Sequence, residues 1–426
     1  MVHGEALLHA LWRELFHLQE ELFTIEGKRV EVLDLGHHNG DAGPDFQGVQ
    51  LKIDGVRWVG DVEMHLRTSD WNLHGHHTDP KYNAVVLHVV AVHDAEVQTC
   101  DGRTLTTVVF PHLQIYEKYQ DEIEQAQGIP PCGERLAHVE PVLQKAWKDK
   151  LLTERLAQRA AKIDADRVAS GMDWEEAFYR SLARTLGLTV NQEAMYALAA
   201  ATPLKALYKV RDERRLVEAI LHGQSGLLPL DAAGDDYTQG LSEEYDYQRA
   251  RFGLTPLDSS EWKFLRLRPS GFPSIRVSQL AGLITEHDHL FSQVVEAKKV
   301  HELLGLFTAS AEHYWDSHYR FGESVGRSQP KRLGRSMQEL LLLNSALPFR
   351  YAYALCQQNQ EAIATTLSLY TKLGAEKNQI IEGFRASGVT VENAAESQAL
   401  LQLYKLYCRS GRCHLCPAWR GVLTKN

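Results

Sequence analysis

The sequence predicts an α+β protein, an N-terminal α/β domain followed by a large all-helical region. Three observations carry this. Residues 1–111 hold the alternating apolar patterns, most glycine-containing turns, and a crowd of histidines, eight of the 20 lying between His37 and His93. From about residue 112 onward nearly every segment has helical periodicity. The chain has 426 residues at 44 % hydrophobic content, enough for two or three globular domains. The expected division is an α/β domain at 1–115, a helical region at 116–400 and a cysteine-containing tail at 401–426.

The elements come in this order. Residues 4–22 predict an amphipathic helix with Leu7, Leu8, Leu11, Trp12, Leu15 and Phe16 along one stripe. Glu5, Glu14, Glu20 and Glu21 break up any apolar run there, which argues against a secretory signal. No segment approaches the ~18 apolar residues of a membrane span, so the expected location is the cytoplasm, with no membrane partner. Val30–Leu35 is a short strand, followed by the polar loop GHHNGDAGPD. Phe46–Ile53 and Val56–Leu66 are strands joined by an Asp54-Gly55 turn. Ser69–Tyr82 is polar and turn-rich, with room for one helix. Ala84–Val92 is continuously apolar, as a buried central strand should be. Ala95–Cys100 and Arg103–Phe110 suggest a second hairpin around Asp101-Gly102. The order is α-β-β-β-α-β plus a hairpin.

Helices are expected near 138–168, 173–187, 191–200, 213–222, 242–252, 276–285, 290–308, 336–356, 358–373 and 394–408. Val142–Val168 carries charge on most faces and reads as a solvated linker helix. The net charge of −9 argues against a basic coat for non-specific nucleic-acid binding, while leaving room for a local basic groove. Two such segments are present: Arg266, Arg268 and Arg276 around a Pro-broken loop, and Arg327, Lys331, Arg332 and Arg335. Of these, Arg266, Arg268, Arg276 and Arg332 are candidate phosphate contacts. Tyr314–Tyr319 is aromatic-rich and reads as interdomain core.

The chemistry concentrates on the long strand. Val56, Trp58, Gly60, Val62, Met64 and Leu66 alternate with Arg57, Asp61, Glu63, His65 and Arg67. Asp45 stands at the mouth of the preceding strand. Paired carboxylates hold a divalent cation through oxygen, and a neighbouring base positions or deprotonates water. A two-residue turn pairs Ile53 with Val56 and, by extension, Asp45 with Met64. That would leave Asp45 and Glu63 on opposite faces. A shared metal therefore requires a bulge, with Gly48 and Gly60 as natural positions. Glu5, His38, Asp70, His74 and His76 are candidate cleft residues. His74, His76 and Asp79 also raise the alternative of a zinc hydrolase of a small molecule, although their spacing departs from the usual metallo-β-lactamase motif.

Cys408, Cys413 and Cys416 fall in the last 19 residues as C-x4-C-x2-C. With a fourth ligand, for which Cys132, Cys356 and His414 are the candidates and Cys132 is preferred because it lies on a loop just past the β zone, they would hold structural zinc or an iron–sulfur cluster. A disulfide framework is not expected from six cysteines without a signal segment.

These residues carry two resemblances. The α-β-β-β-α-β order with Asp45 and Glu63-Met64-His65 resembles the PD-(D/E)xK nucleases, with His65 where lysine is usual. That resemblance implies a restriction-endonuclease-like fold and Mg²⁺- or Mn²⁺-dependent hydrolysis of nucleic acid. Asp45 and Glu63 would bind the metal and His65 would handle the water. The departure at His65 leaves a second expectation, a non-catalytic nucleic-acid-binding or scaffold protein on a decayed core. The run AGPDF, WVGDVEMH, SDW, HGHHTDPKYNAVVLHVV, IPPC, WKFLRLRPSGFPSIRVSQLA, YWDSHYRFG and YCRSGRCHLC resembles the bacterial family called domain of unknown function 2851, over about residues 4–417.

Overall fold

A computed structural model describes residues 5–13, 15, 21–111, 113, 128–229, 235–410, 412–418 and 422. Phe16 and the later part of the expected first helix lie outside the described residues, as does the His414 side chain. Contacts divide the chain into two compact units. One comprises Met1–Leu151, Glu376–Val391 and Ser397–Asn426; the other comprises Leu152–Ala375 and Glu392–Glu396. The expected division at 115 and 400 is a different partition, and the cysteine tail here falls in the unit that contains the sheet.

The first unit opens with helix α1 (Glu5–Arg13), which buries Leu7, Leu8, Leu11 and Trp12 as the apolar stripe requires. Seven strands follow: β1 (Leu22–Phe23), β2 (Arg29–Asp34), β3 (His37–His38), β4 (Phe46–Ile53), β5 (Val56–Arg67), β6 (Val85–Val92) and β7 (Thr107–Val109). They form one sheet in the order β1-β2-β4-β5-β6-β7, with β3 paired to β4. β2, β4 and β5 are antiparallel; β6 runs parallel to β5, and β7 parallel to β6. Helix α1 packs on β5, and Trp12 sits 6.3 Å from the Phe46 ring. Trp71, Tyr82, Val85, Val97 and Leu105 form a second buried cluster. Six of the eight residues of β6 are buried, as its continuous apolar run requires.

Along β5, Val56 to Val59 are exposed, whereas Val62, Glu63, Met64 and His65 are all buried, so both faces are enclosed at the site. One reading of this unit needs correction. The second hairpin is reduced to a Gln98–Thr104 bridge. The backbone of Thr107–Val109 instead pairs with His88, Val89 and Val90 of β6, a longer ladder than the hairpin offers.

The second unit is helical apart from a small hairpin, His318–Arg320 with Glu323–Ser324. The long helix Pro141–Ala169 crosses the division between units. It buries Trp147, Leu151, Leu152, Leu156 and Ala160, so it is amphipathic rather than solvated all round. The segment expected at 290–308 is two helices, Leu290–Glu296 and Val300–Gly305, because Glu302 turns back to accept from the backbone N–H groups of Lys298 and Lys299. Trp315 is fully buried against Ile275 and Ala311, with Phe272, Tyr314, Tyr319 and Phe321 around it. This is core within the helical unit, not core between domains.

Candidate metal centre

The site begins with one extra residue. From Ile53↔Val56 to Val49↔Gly60 the β4–β5 ladder is regular; it then shifts to Phe46↔Val62. Gln47 and Gly48 together oppose Asp61. Gly48 has φ +71°, a conformation glycine adopts without penalty, and its N–H donates to Asp61 Oδ1 at 3.1 Å. This is the bulge the two-carboxylate reading requires. It brings Asp45 beside Glu63 instead of Met64. Asp45 N–H donates to Glu63 Oε2 at 3.0 Å, and Met64 N–H donates to Asp45 Oδ2 at 2.9 Å. Gly60 has another purpose: a Cβ there would lie 2.4 Å from Val86 Cγ1 and 2.5 Å from the Ala84 carbonyl oxygen. Its bareness lets β6 approach.

The other oxygen of Glu63 faces imidazoles. Oε1 lies 3.3 Å from His76 Nε2 and 3.7 Å from His65 Nε2. His65 Nε2 is 3.0 Å from His74 Nδ1. One ring nitrogen from each of His65, His74 and His76 lies within 4.8 Å of the others. The local chain explains the convergence. Helix α2 (Asp70–Leu73) ends at His74, Gly75 turns the chain at φ +79°, and a single 3₁₀ turn carries His76. Asp79 caps the next turn by accepting from Lys81 N–H at 2.9 Å. The two histidines of the H-x-H run thus join the cluster, while the aspartate that suggested a zinc motif is committed to the backbone. His76 stacks on Tyr82 with ring centroids 3.8 Å apart. Trp71, fully buried, stands 5.3 Å from the His76 ring and 5.4 Å from the His88 ring, and its indole N–H donates to the Gln98 carbonyl.

Burial sets the protonation states. His65 is 1 % exposed and His88 is 0 % exposed. Desolvation, reinforced by the neighbouring imidazoles, lowers each to about 3. Both are therefore neutral at pH 7, and each keeps one bare ring nitrogen. His65 Nδ1 lies 2.8 Å from His88 Nε2, and His88 Nδ1 has no hydrogen-bond partner among the described residues. If His65 donates from Nδ1 to His88, its Nε2 lone pair points at His74, His76 and Glu63. That is the tautomer a metal ligand needs. Burial also raises Glu63, against the opposing pull of His76.

The other candidate residues surround this cluster or lie away from it. Glu5, in the first turn of α1, is half-buried and raised by desolvation, and its carboxylate feels His74, Asp45, His9 and Asp70. Asp70 accepts from Arg67 N–H at 2.9 Å and so closes the end of β5. His38 stacks edge-on against His9 and Phe46, and burial lowers it. Two members escape sequence reasoning. His9 Nε2 stands 3.2 Å from Asp45 Oδ2, although not aligned as a hydrogen bond. His88 lies opposite Glu63 in the parallel ladder. A histidine inside VVLHVV is the available signal, because a buried imidazole needs a partner.

Arg266, Arg268 and Arg332 are exposed on the helical unit. Arg276 is half-buried, lowered to about 10 by desolvation, and donates to Gln279 Oε1 at 2.8 Å. Lys331, in the second basic segment, is buried and donates to the carbonyls of Trp315 and Asp316. It is a packing residue, not part of a basic surface. Cys132, Cys408, Cys413 and Cys416 line one pocket of the sheet-containing unit.

The donor set can hold a divalent ion. Three imidazoles and a carboxylate suit ions that accept nitrogen, such as Zn²⁺ or Mn²⁺, better than Mg²⁺, which prefers oxygen alone. A family model described as "Protein of unknown function (DUF2851)" matches residues 5–379. No curated protein and no solved structure matches the chain.

Proposed function

The chain belongs to the DUF2851 family, and we propose that it is a metal-dependent hydrolase of phosphodiester bonds in nucleic acid, built on a PD-(D/E)xK-like, restriction-endonuclease-like core. The observation that carries this is the Gly48 bulge, which puts Asp45 and Glu63 side by side and turns Glu63 Oε1 toward His65 and His76. The strand arrangement supports the same reading: three antiparallel strands, then a fourth parallel to the third.

In this proposal His65, His74, His76 and Glu63 hold a nitrogen-accepting divalent ion, with Asp45 beside them. The ion would polarise a phosphoryl oxygen and lower the pKa of water. His88 orients His65 by accepting at Nε2. Glu5, whose carboxyl burial raises, would be the candidate acid for the leaving oxygen. His65 itself is enclosed, with both ring nitrogens engaged, which supports a ligand's role more than that of a base open to substrate. The same imidazoles favour a second reading, a zinc-dependent hydrolase of a small molecule.

The test is hydrolysis of single- and double-stranded DNA and RNA, and of a small synthetic phosphodiester, with Mn²⁺, Zn²⁺ or Mg²⁺. Cleavage of nucleic acid by the wild type but not by Glu63→Gln supports the proposal. Cleavage of only the small substrate selects the second reading. Equal rates for both proteins, or no cleavage by either, would overturn the assignment and leave the decayed, non-catalytic core.

A further inference from the structure

Four of the six cysteines converge. Cys132 is remote in sequence from Cys408, Cys413 and Cys416, yet all four line one pocket, with Leu136, Leu403, Tyr407, Ala418 and Val422 as its apolar wall. The other two, Cys100 and Cys356, are exposed. None of the six is in a disulfide.

The local backbone is shaped for this. The helix Ala394–Leu403 continues into a π-turn, Tyr404–Cys408, closed by Arg409 N–H to the Tyr404 carbonyl at 2.8 Å. A π-turn is one inserted residue that rotates the chain beyond it, and such turns gather at functional sites. Here the rotated residue is Cys408. Arg412 N–H then bonds the Tyr407 carbonyl at 2.9 Å, and Cys416 N–H bonds the Cys413 carbonyl at 2.9 Å. That knuckle returns two cysteines, three residues apart, to the same side. Cys132 enters from a separate turn, closed by Gly133 N–H to the Pro130 carbonyl at 2.9 Å.

We propose that Cys132, Cys408, Cys413 and Cys416 are the four thiolate ligands of a metal centre, and that their spacing points to an iron–sulfur cluster rather than a single zinc ion. A lone tetrahedral zinc at ~2.3 Å from each sulfur needs sulfurs about 3.8 Å apart. No three of these sulfurs, all in described residues, lie within 4.8 Å of one another. In a four-iron cluster each thiolate binds its own iron, so sulfurs set wider apart than around one zinc are the natural fit. The centre is structural. The Cys413–Leu415 turn packs against α1, the helix that carries Glu5 and His9.

The test is metal and sulfide analysis of the full chain purified without air, with visible absorption and X-ray absorption at the iron edge. Iron and sulfide in near-equal amounts, a brown chromophore and sulfur-only coordination are expected in the wild type and in Cys356→Ser. Both chromophore and iron should fall at least tenfold in Cys413→Ser. One zinc per chain with no iron overturns the cluster assignment. A chain free of metal, or iron retained in Cys413→Ser, overturns the site. The wild-type coordination decides the matter even if the variant fails to fold.

Discussion

Acidification of the metal-free protein should destabilise the sheet-containing unit through His65 and His88. Both sit near 3 when folded, against about 6.5 for an exposed imidazole. Below pH 6.5 the unfolded chain takes up protons that the folded chain refuses. Stability is therefore fully present above about 6.5 and is lost as pH falls toward 3. Each such histidine contributes up to ~1.4 kcal/mol per pH unit. Because the two are hydrogen-bonded to each other, one full titration is the safer count. From well above pH 6.5 down to about pH 4.5 the loss is then ~2.7 kcal/mol. For a unit of about 200 residues this lowers the melting temperature by roughly 5–11 °C. Glu63 acts in the opposite sense: its raised carboxyl adds stability in acid and loses it as pH rises, so the slope flattens toward the acid end. The assay is a series of thermal melts in chelator at graded pH. Replacing both imidazoles by apolar side chains, His65→Phe with His88→Leu, should flatten the profile. A wild-type melting temperature constant across that window would refute the claim that these histidines are buried and neutral.

The same geometry makes three further outcomes testable. Gly48→Val forces a β-branched residue to φ +71° and should cost about 1–2 kcal/mol in urea unfolding while weakening Mn²⁺ binding in calorimetry; an unchanged midpoint would deny the bulge. His76→Phe keeps an aromatic ring stacked on Tyr82 and should leave stability within ~1 kcal/mol, yet weaken metal affinity at least tenfold; tight binding by this variant would remove His76 from the ligand set. Gly60→Ala drives a methyl into Val86 and the Ala84 carbonyl, so a loss of about 1–3 kcal/mol is expected, and a neutral result would argue against the close β5–β6 approach.

The strands are legible in the sequence because alternation and turn chemistry are local. They place Phe46–Ile53 to the residue, and Val56–Leu66 extends by one. The need for a bulge is also legible, because the turn at Asp54-Gly55 sets the register and the chemistry contradicts it. Parallel pairing is not. Nothing near Thr107 indicates that it aligns with His88, so the sequence suggests a second hairpin and conceals the His65–His88 contact. Asp79 misleads for a similar reason. Its company with two histidines suggests a ligand despite the irregular spacing, whereas its position before Pro80 makes it a cap. Lys331 shows the limit of reading charge: a lysine in a basic run still packs inside when backbone carbonyls await it.

Trp71 supplies an optical reporter that the protein already contains. Its indole touches the cluster through His76 and His88 and is shielded from solvent. Protonating either ring, or seating an open-shell ion among them, should quench its emission without any added label. The difference spectrum between the wild type and Trp71→Phe would then follow occupancy of the centre as metal is added or withdrawn, in a solution of otherwise unmodified protein.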